Sequence, residues 1–429
     1  MTTFLPLDAT TVIPVFPSFL KLSPDPEGHV KRVVMAILKA RKIVVVCGAG
    51  ISVQAGIPDF RSSEGLFQST KKNHPTLVSG KDLFDASVFN YKRTTSLFCQ
   101  MIAKLSQLSE DAEPTAFHRL LGALDGRGSL MRVYTQNIDA LETKAGLSFG
   151  LPEWGGKRSS PMGHHRCIPL HGTLQWMHCA TCTHSYPLRD FLSSLVSGQL
   201  PLCPQCVALE ETRRLVAKRS RGVGKLRPSL VLYNEDHRDA EIVGHIVEKD
   251  LMGKRSAAPD LLLVVGTSLQ VPGTRRIVRE FSKVVQCRYS APTNTSPMAS
   301  SIEEPTKSAH DQGRTTPTPS SSVPGELPVR AIYLNLDFPG PSREWEGVFD
   351  VWIQGDAQQF ARLAQEELEN QKKTQETMLV KGRKRRRRRQ GSATDEIKKR
   401  KEFVPPHDSA VVTGGRSSSS SVTLESCVG

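Results

Sequence analysis

Residues 43–61 read IVVVCGAGISVQAGIPDFR, and no other stretch restricts the fold as strongly. A continuous apolar run from Ile43 to Cys47 fits a strand buried on both faces of a parallel sheet. Gly48-Ala49-Gly50 then stands where such a strand hands over to a helix, and open α/β sheets bind ligands at that end. The stretch nevertheless departs from the G-x-G-x-x-G pattern of a dinucleotide-binding helix. Val53 occupies the third glycine position, and Gly56-Ile57-Pro58 follows after about one turn. Proline lacks an amide hydrogen and disfavours helix in the residue before it, so the helix must stop.

The flanking sequence repeats the strand–helix alternation. Short apolar runs at 131–135, 261–265 and 331–334 read as further buried parallel strands. Helical periodicity covers 116–124 and 273–285, and in 29–41 it places Val30, Val33, Val34, Ile37 and Leu38 on one face. This pattern predicts an α/β fold with a doubly wound parallel sheet. Residues 1–28, interrupted by prolines, are expected to form a loose N-terminal extension, and 29–370 the main domain. Inside that domain, about 172–226 reads as a separate cysteine-bearing module. The Ser-, Thr- and Pro-rich stretch at about 288–328 reads as a disordered insertion. An amphipathic helix from about 357 closes the fold, and 371–429 is expected to be a disordered basic tail.

Charge is concentrated in that tail. The net charge is +14, and residues 381–401 hold twelve Lys and Arg against Asp395 and Glu396, which leaves about +4 for the rest. The runs Lys381 to Arg389 and Lys398 to Lys401 have the form of a bipartite nuclear import signal, implying an import receptor and a nuclear protein. Nucleic-acid contact or plain solvation is the alternative for the same residues. A second basic stretch, Arg213 to Arg227, carries seven Lys or Arg and no acid; a solvated loop is its default reading, and contact with DNA or an acidic partner the alternative. No apolar run approaches the roughly 18 residues of a membrane span and no secretory signal is visible, so a soluble, membrane-free protein is expected.

The nine cysteines read as reduced thiols and metal ligands rather than a disulfide frame. Cys179-x-x-Cys182 and Cys203-x-x-Cys206, 20 residues apart, suit one structural zinc held by four thiolates, with a redox pair as the alternative. All four positions are then filled by protein, so the metal would not do chemistry. Thr135-Gln136-Asn137-Ile138-Asp139 follows a strand and puts polar side chains at the ligand-binding edge, although Asn and Asp there also cap helices. His171, in Leu170-His171-Gly172, is a candidate general base or an ordinary loop histidine. Gly266-Thr267-Ser268 is a further strand-end loop, suited to ribose or phosphate or simply to a turn. His164, His165 and Cys167 read as part of a flexible polar insertion, with a second metal site as the alternative, and Cys47 as a core residue.

Taken in order, GAGISVQAGIPDFR, TQNID, LHG, the two C-x-x-C pairs, VLYNE, GTSL, LNLD and QGD resemble the sirtuins, NAD-dependent protein-lysine deacetylases. The likeness covers roughly 41–370 without the insertion. The region 145–170, VLYNE and the basic tail are most similar to the fungal nuclear branch that deacetylates a lysine in a histone core. The resemblance implies a Rossmann-like NAD-binding domain with a zinc-ribbon module, acting on an acetylated histone or other chromatin protein.

It also explains the broken helix. A sirtuin must cleave the bond between nicotinamide and ribose, so the loop 57–61 folds over the cofactor. By this likeness Gly48, Ala49 and Gly50 approach the pyrophosphate, and Arg61 faces phosphate or ribose. Ile57, Asp59, Gln136, Asn137, Ile138 and Asp139 belong to the nicotinamide side, and Phe60 shields the reactive carbon from water. Gly266, Thr267, Ser268, Asn335 and Asp356 hold the adenosine half. The resemblance assigns catalysis to His171, with Asn137 and Asp139. The acetyl oxygen attacks the ribose carbon as nicotinamide leaves, His171 deprotonates a ribose hydroxyl that attacks the resulting amidate, and water completes the reaction to free lysine and O-acetyl-ADP-ribose. Val231, Tyr233, Asn234 and Glu235 would bind the substrate peptide as an added strand. The family usually has phenylalanine and glycine at the positions of Tyr233 and Asn234. The rivals are ADP-ribosyl transfer, removal of a longer acyl group, and a chromatin-binding module with little turnover.

Overall fold

The structure, a computed structural model, describes residues 1–8, 17–59, 80–152, 165–253, 258–287 and 329–401. It divides the chain into two units, Met1–Leu368 and Glu369–Gly429. Strands of the first unit, in chain order, are β1 (Thr2–Pro6), β2 (Leu20–Leu22), β3 (Ile43–Cys47), β4 (Leu130–Thr135), β5 (Cys167–Pro169), β6 (Gly172–Cys179), β7 (Ser185–Pro187), β8 (Leu226–Leu230), β9 (Leu261–Val265), β10 (Ala331–Asn335) and β11 (Val351–Gln354). Eight of them form one sheet in the order β2-β1-β11-β10-β9-β3-β4-β5, and every pairing is parallel. From β3 the chain first steps to β4 and β5, then returns to β9, β10 and β11 on the other side. The order therefore reverses at β3, and a crevice opens there beyond the carboxyl ends.

The period of two along β3 divides the core. Ile43, Val45 and Cys47 gather with helices Pro26–Lys39, Ala116–Gly126 and the start of the helix beginning at Ala357. Val44 and Val46 point the other way, into a layer with Val243, Val278, Phe281, Trp345 and Trp352. Helices thus cover both faces, as the continuous apolar strands require. Helix Pro26–Lys39 starts where Pro26 can sit without losing a bond and Asp25 accepts the amide of Gly28 at 3.0 Å.

The structure corrects two expectations. Residues 2–6 are no loose extension: β1 lies between β2 and β11, with Phe4 and Leu5 fully buried and the Phe4 ring 4.7 Å from that of Trp352. Cys167 is likewise not in a polar insertion but fully buried in β5, while His164 lies outside the described residues.

A smaller layer carries the cysteines. β7, β6 and β8 form an antiparallel three-stranded sheet. Its core draws Leu174, Met177 and Leu226 together with Phe98, Cys99 and Ile102 of helix Lys92–Asp111. The module is therefore larger than 172–226, because residues before β4 complete it.

In the second unit the helix Ala357–Lys401 continues through 369–401, over the first part of the tail expected to be disordered. Glu, Gln, Lys and Arg are good helix formers, and 372–379 are exposed. A helix exposed on all sides, as over 372–379, is marginal in water on its own. The insertion 288–328 and residues 402–429 lie outside the described residues. Among the described residues no helix is long and apolar enough to cross a membrane.

Phe4→Ala should cost about 3–5 kcal/mol through the cavity left beside Trp352. Urea denaturation of the full chain checks this, and a change below about 1 kcal/mol would contradict the placement of β1.

Candidate active site

β3 ends in two short 3-10 turns, Ala49–Ile51 and Val53–Ala55, closed by Gly56 at φ +83°. The helix stops as the sequence requires, but the left-handed Gly56 ends it before Pro58 does. Gly48 and Gly50 are small for the sake of the neighbouring loop. A Cβ on Gly50 would lie 2.7 Å from the Cα of Gly266, and one on Gly48 2.8 Å from the Cβ of Thr267. The Gly50 amide donates to the Gly266 carbonyl at 2.9 Å. Behind the loop, the Ile51 carbonyl accepts from Thr115 Oγ1 and from Gln358 Nε2, each at 2.9 Å.

A cleft of about 800 Å³ lies over these strand ends. Gly48, Ala49, Gly50, Asp59, Gln136, Asn137, Ile138, His171, Gly266, Thr267, Ser268, Asn335 and Asp356 line it, and Val231 and Tyr233 close it from the small module. A small adjoining cavity is bounded by Ala49, Ser52, Ile57, Asn137, Ile138 and Asp139. Phe60 and Arg61 lie outside the described residues. Asn234 and Glu235 border neither space. Glu235 accepts the Leu232 amide at 2.9 Å and meets Arg227 at 2.6 Å, so its carboxylate braces its own turn.

His171 stands between β5 and β6, half-buried, with Nδ1 3.1 Å from the carbonyl oxygen of Gln136. A carbonyl only accepts, so Nδ1 carries the proton and Nε2 is the basic nitrogen. Its backbone is fixed as well: the His171 carbonyl accepts the Val231 amide at 3.0 Å, and Gly172 follows at φ +81°, where a Cβ would lie 2.0 Å from the carbonyl oxygen of Ser229.

Asn137 is no helix cap. Its Nδ2 donates to Ser52 Oγ at 3.1 Å, while its buried Oδ1 has no partner among the described residues. Such an orphan acceptor is costly unless a ligand supplies a donor. Asp139 closes the turn ahead of helix Leu141–Lys144 by accepting the Leu141 amide at 3.0 Å. Beside it, Glu142 is fully buried. Burial, then the nearby Asp139, pushes the Glu142 carboxyl up to about 8, which keeps it neutral near pH 7. Ser52 and Glu142 escaped the sequence reading because nothing local marks them as buried.

The 231–235 segment, expected to pair with a peptide, is already engaged within the chain. Tyr233 donates its amide to Phe84 at 2.7 Å and accepts from Ala86 at 2.9 Å. Asn234 adopts φ +60°, and its Nδ2 donates to Asp85 Oδ2 at 2.5 Å. The amide and carbonyl of Tyr233 are therefore both taken within the chain.

The four cysteine sulfurs lie within 4.8 Å of one another. The Cys179–Cys206 and Cys182–Cys203 separations are 3.7 and 3.5 Å, far beyond a disulfide bond. A zinc–sulfur length of about 2.3 Å in a tetrahedron gives sulfur separations of about 3.8 Å, so the cluster fits one zinc. Amides of Thr181 and Cys182 point at Cys179 Sγ, at 3.3 and 3.4 Å, and favour its thiolate.

With this geometry established, comparison decides the family: the Sir2 family profile matches residues 48–273, more than half of the chain. The chain belongs to the Sir2 family. It is 35% identical over 342 residues to the NAD-dependent protein deacetylase hst4 of Emericella nidulans, covering 80% of this chain and 49% of that one. Against the protein of the same name from Schizosaccharomyces pombe, identity is 45% over 254 residues, covering 59% and 58%. The NAD-dependent histone deacetylase HST4 of Saccharomyces cerevisiae is 40% identical over 258 residues, covering 58% and 65%. This Sir2-family chain thus spans about half to two thirds of the length of those relatives. A solved Sir2 structure with a deacetylated p53 peptide and 3'-O-acetyl ADP ribose shares the fold, at a TM-score of 0.50 and 21% identity over 79% of this chain and 98% of that one.

Two outcomes test the site of this Sir2-family protein. Metal analysis should find about one zinc per chain, and its removal by a chelator should lower the melting temperature. For Glu142, the folded value lies above the unfolded one, so its contribution to stability is lost as pH rises toward 8. Glu142→Gln should therefore gain stability over the wild type between pH 5 and 8, on the order of 3 kcal/mol. Parallel pH curves in chemical denaturation would refute the neutral carboxyl.

Proposed function

We infer that this Sir2-family chain is a nuclear NAD-dependent protein-lysine deacetylase whose substrates are acetylated histones. One observation carries the reading: the glycine loop, His171 and the 231–233 segment all line a single cleft. A dinucleotide and an extended peptide can then meet at one imidazole. The names of the fungal relatives support the same reaction and the histone substrate.

The residues fit NAD. Gly48 and Gly50 keep side chains away from a pyrophosphate, while Ser268, Asn335 and Asp356 lie along the adenosine side of the cleft. The small cavity encloses the nicotinamide, with Asn137 Oδ1 accepting from its amide and Ile57 and Ile138 supplying apolar walls. NAD, as cosubstrate, supplies the ribose that receives the acetyl group. Nε2 of His171 takes the proton from a ribose hydroxyl, a task suited to an imidazole fixed in one tautomer. Tyr233 supplies an apolar wall for the acetyl-lysine with a hydroxyl at its far edge. The cluster of Cys179, Cys182, Cys203 and Cys206 holds its zinc for structure alone. The basic run 381–401 serves nuclear import and contact with nucleic acid.

Mass spectrometry of products from NAD and acetylated histones tests the reading. Wild type should release nicotinamide, O-acetyl-ADP-ribose and deacetylated lysine, and His171→Ala should lose at least about 100-fold in rate. ADP-ribose attached to protein without the acetyl ester would instead point to ADP-ribosyl transfer.

A further inference from the structure

Among the described residues, the cysteine module carries a charged surface that the proposed chemistry does not use. Helix Pro204–Leu215 carries Arg213 in its last turn, and the chain then doubles back beside it. Ala217, at φ +49°, starts the return, and the Lys218 amide donates to the Arg213 carbonyl at 2.9 Å. The Arg221 amide donates to Glu210 Oε2 at 3.1 Å, and the Gly224 carbonyl accepts from Cys203 at 2.8 Å, at the start of the helix. Loop 216–224 therefore runs antiparallel to a helix about 18 Å long.

Cations fall along that loop and helix end. The two nearby acids are spent locally: Glu211 pairs with Arg214 at 2.6 Å, and Glu210, which Ser220 and the Arg221 amide hold, also feels the charge of Arg213. The side chains of Arg213, Lys218, Arg219, Arg221 and Lys225 make no hydrogen bond or ion pair among the described residues, and all but the half-buried Arg213 are exposed. No aromatic residue lies in 207–225, and none of these residues lines the cleft or the small cavity.

We propose that this stripe on the cysteine module is a docking surface for the phosphate backbone of duplex DNA. Charge spread over an open stripe suits a repeating array of phosphates, whereas one carboxylate side chain is better held in a forked pocket. Lys225 directly precedes β8, and the far end of that strand leads to Val231 at the cleft. Strand rise over the six steps from Lys225 to Val231 puts the Lys225 end of the stripe about 20 Å from the 231–233 segment. DNA held there leaves the cleft free for a lysine carried on the same particle. That use rests on the histone reading above, but the binding itself does not.

The test uses the full chain with all five cations replaced, Arg213→Gln, Lys218→Gln, Arg219→Gln, Arg221→Gln and Lys225→Gln. Binding to a labelled random duplex of about 20 base pairs is followed from about 50 to 200 mM salt. The slope of log affinity against log salt should fall by about 0.9 for each phosphate no longer neutralised, some three to four in all, while the basic tail retains its own share. Zinc content, melting temperature and turnover of a free acetylated peptide should match the wild type, and turnover on nucleosomes should drop about tenfold or more. A charge-keeping variant with the three arginines changed to lysine should retain the slope. Unchanged slope and affinity in a folded, zinc-loaded variant would overturn the proposal. So would loss of binding to an acidic peptide alone, which would assign the stripe to a protein partner. If neither protein consumes NAD with any acetylated peptide, the enzymatic reading fails while the salt slope still decides this one.

Discussion

The site depends on the close approach of Gly50 to Gly266. Neighbouring parallel strands lie about 4.8 Å apart, and loops leaving their ends tend to splay once they carry side chains. Here β3 and β9 hand over to backbones that touch, with an amide–carbonyl bond of 2.9 Å between Gly50 and Gly266. Glycine at both places is the condition for that contact. Gln136 extends the same tie from β4 by donating to Thr267 Oγ1 at 2.8 Å, so three strand ends act as one floor. Above that floor the loop turns back at Gly56, and the small cavity exists because no helix fills its place.

The repeating parts of this architecture were legible in sequence. Buried parallel strands declare themselves by continuous apolar runs, so β3, β4, β9 and β10 were visible, as was the helix starting at Ala357. β1 was not, because five residues amid prolines carry little period and owe their burial to β11, far along the chain. Helix Lys92–Asp111 has an amphipathic pattern, but its partners in the cysteine module lie some eighty residues further on. The site divides in the same way. The glycines, the cysteines and His171 sit in motifs, and the fold gathers them at the cleft and in the sulfur cluster. Ser52 and Glu142 are ordinary polar residues until the fold buries them. Glu235 shows the reverse: its motif suggested contact with a ligand, yet its carboxylate is occupied by Arg227 and its own turn.

The two layers of the first unit use different sources of stability. The large sheet has helices on both faces, and its strands β3 and β9 are fully apolar, so burial is its main source. The cysteine layer is a three-stranded sheet with short strands, a size at which cores are marginal. Its sulfur cluster joins the end of β6 to the start of helix Pro204–Leu215, and Gly224 passes so close that a Cβ would lie 2.5 Å from Cys179 Sγ. A metal there offsets what the small core lacks.

The anchoring of Ile51 has a consequence for how the chain is made. Its carbonyl is held by Thr115, 64 positions away, and by Gln358, 307 positions away. During synthesis from the N-terminus, the glycine loop leaves the ribosome early, and Thr115 soon after. Gln358 emerges only once β11 is complete. Until then the chain already contains its glycines, its histidine and all four clustered cysteines, yet the loop lacks its last fastening. A nascent or clipped chain that stops short of 358 would carry every one of those motif residues without a finished floor for the cleft.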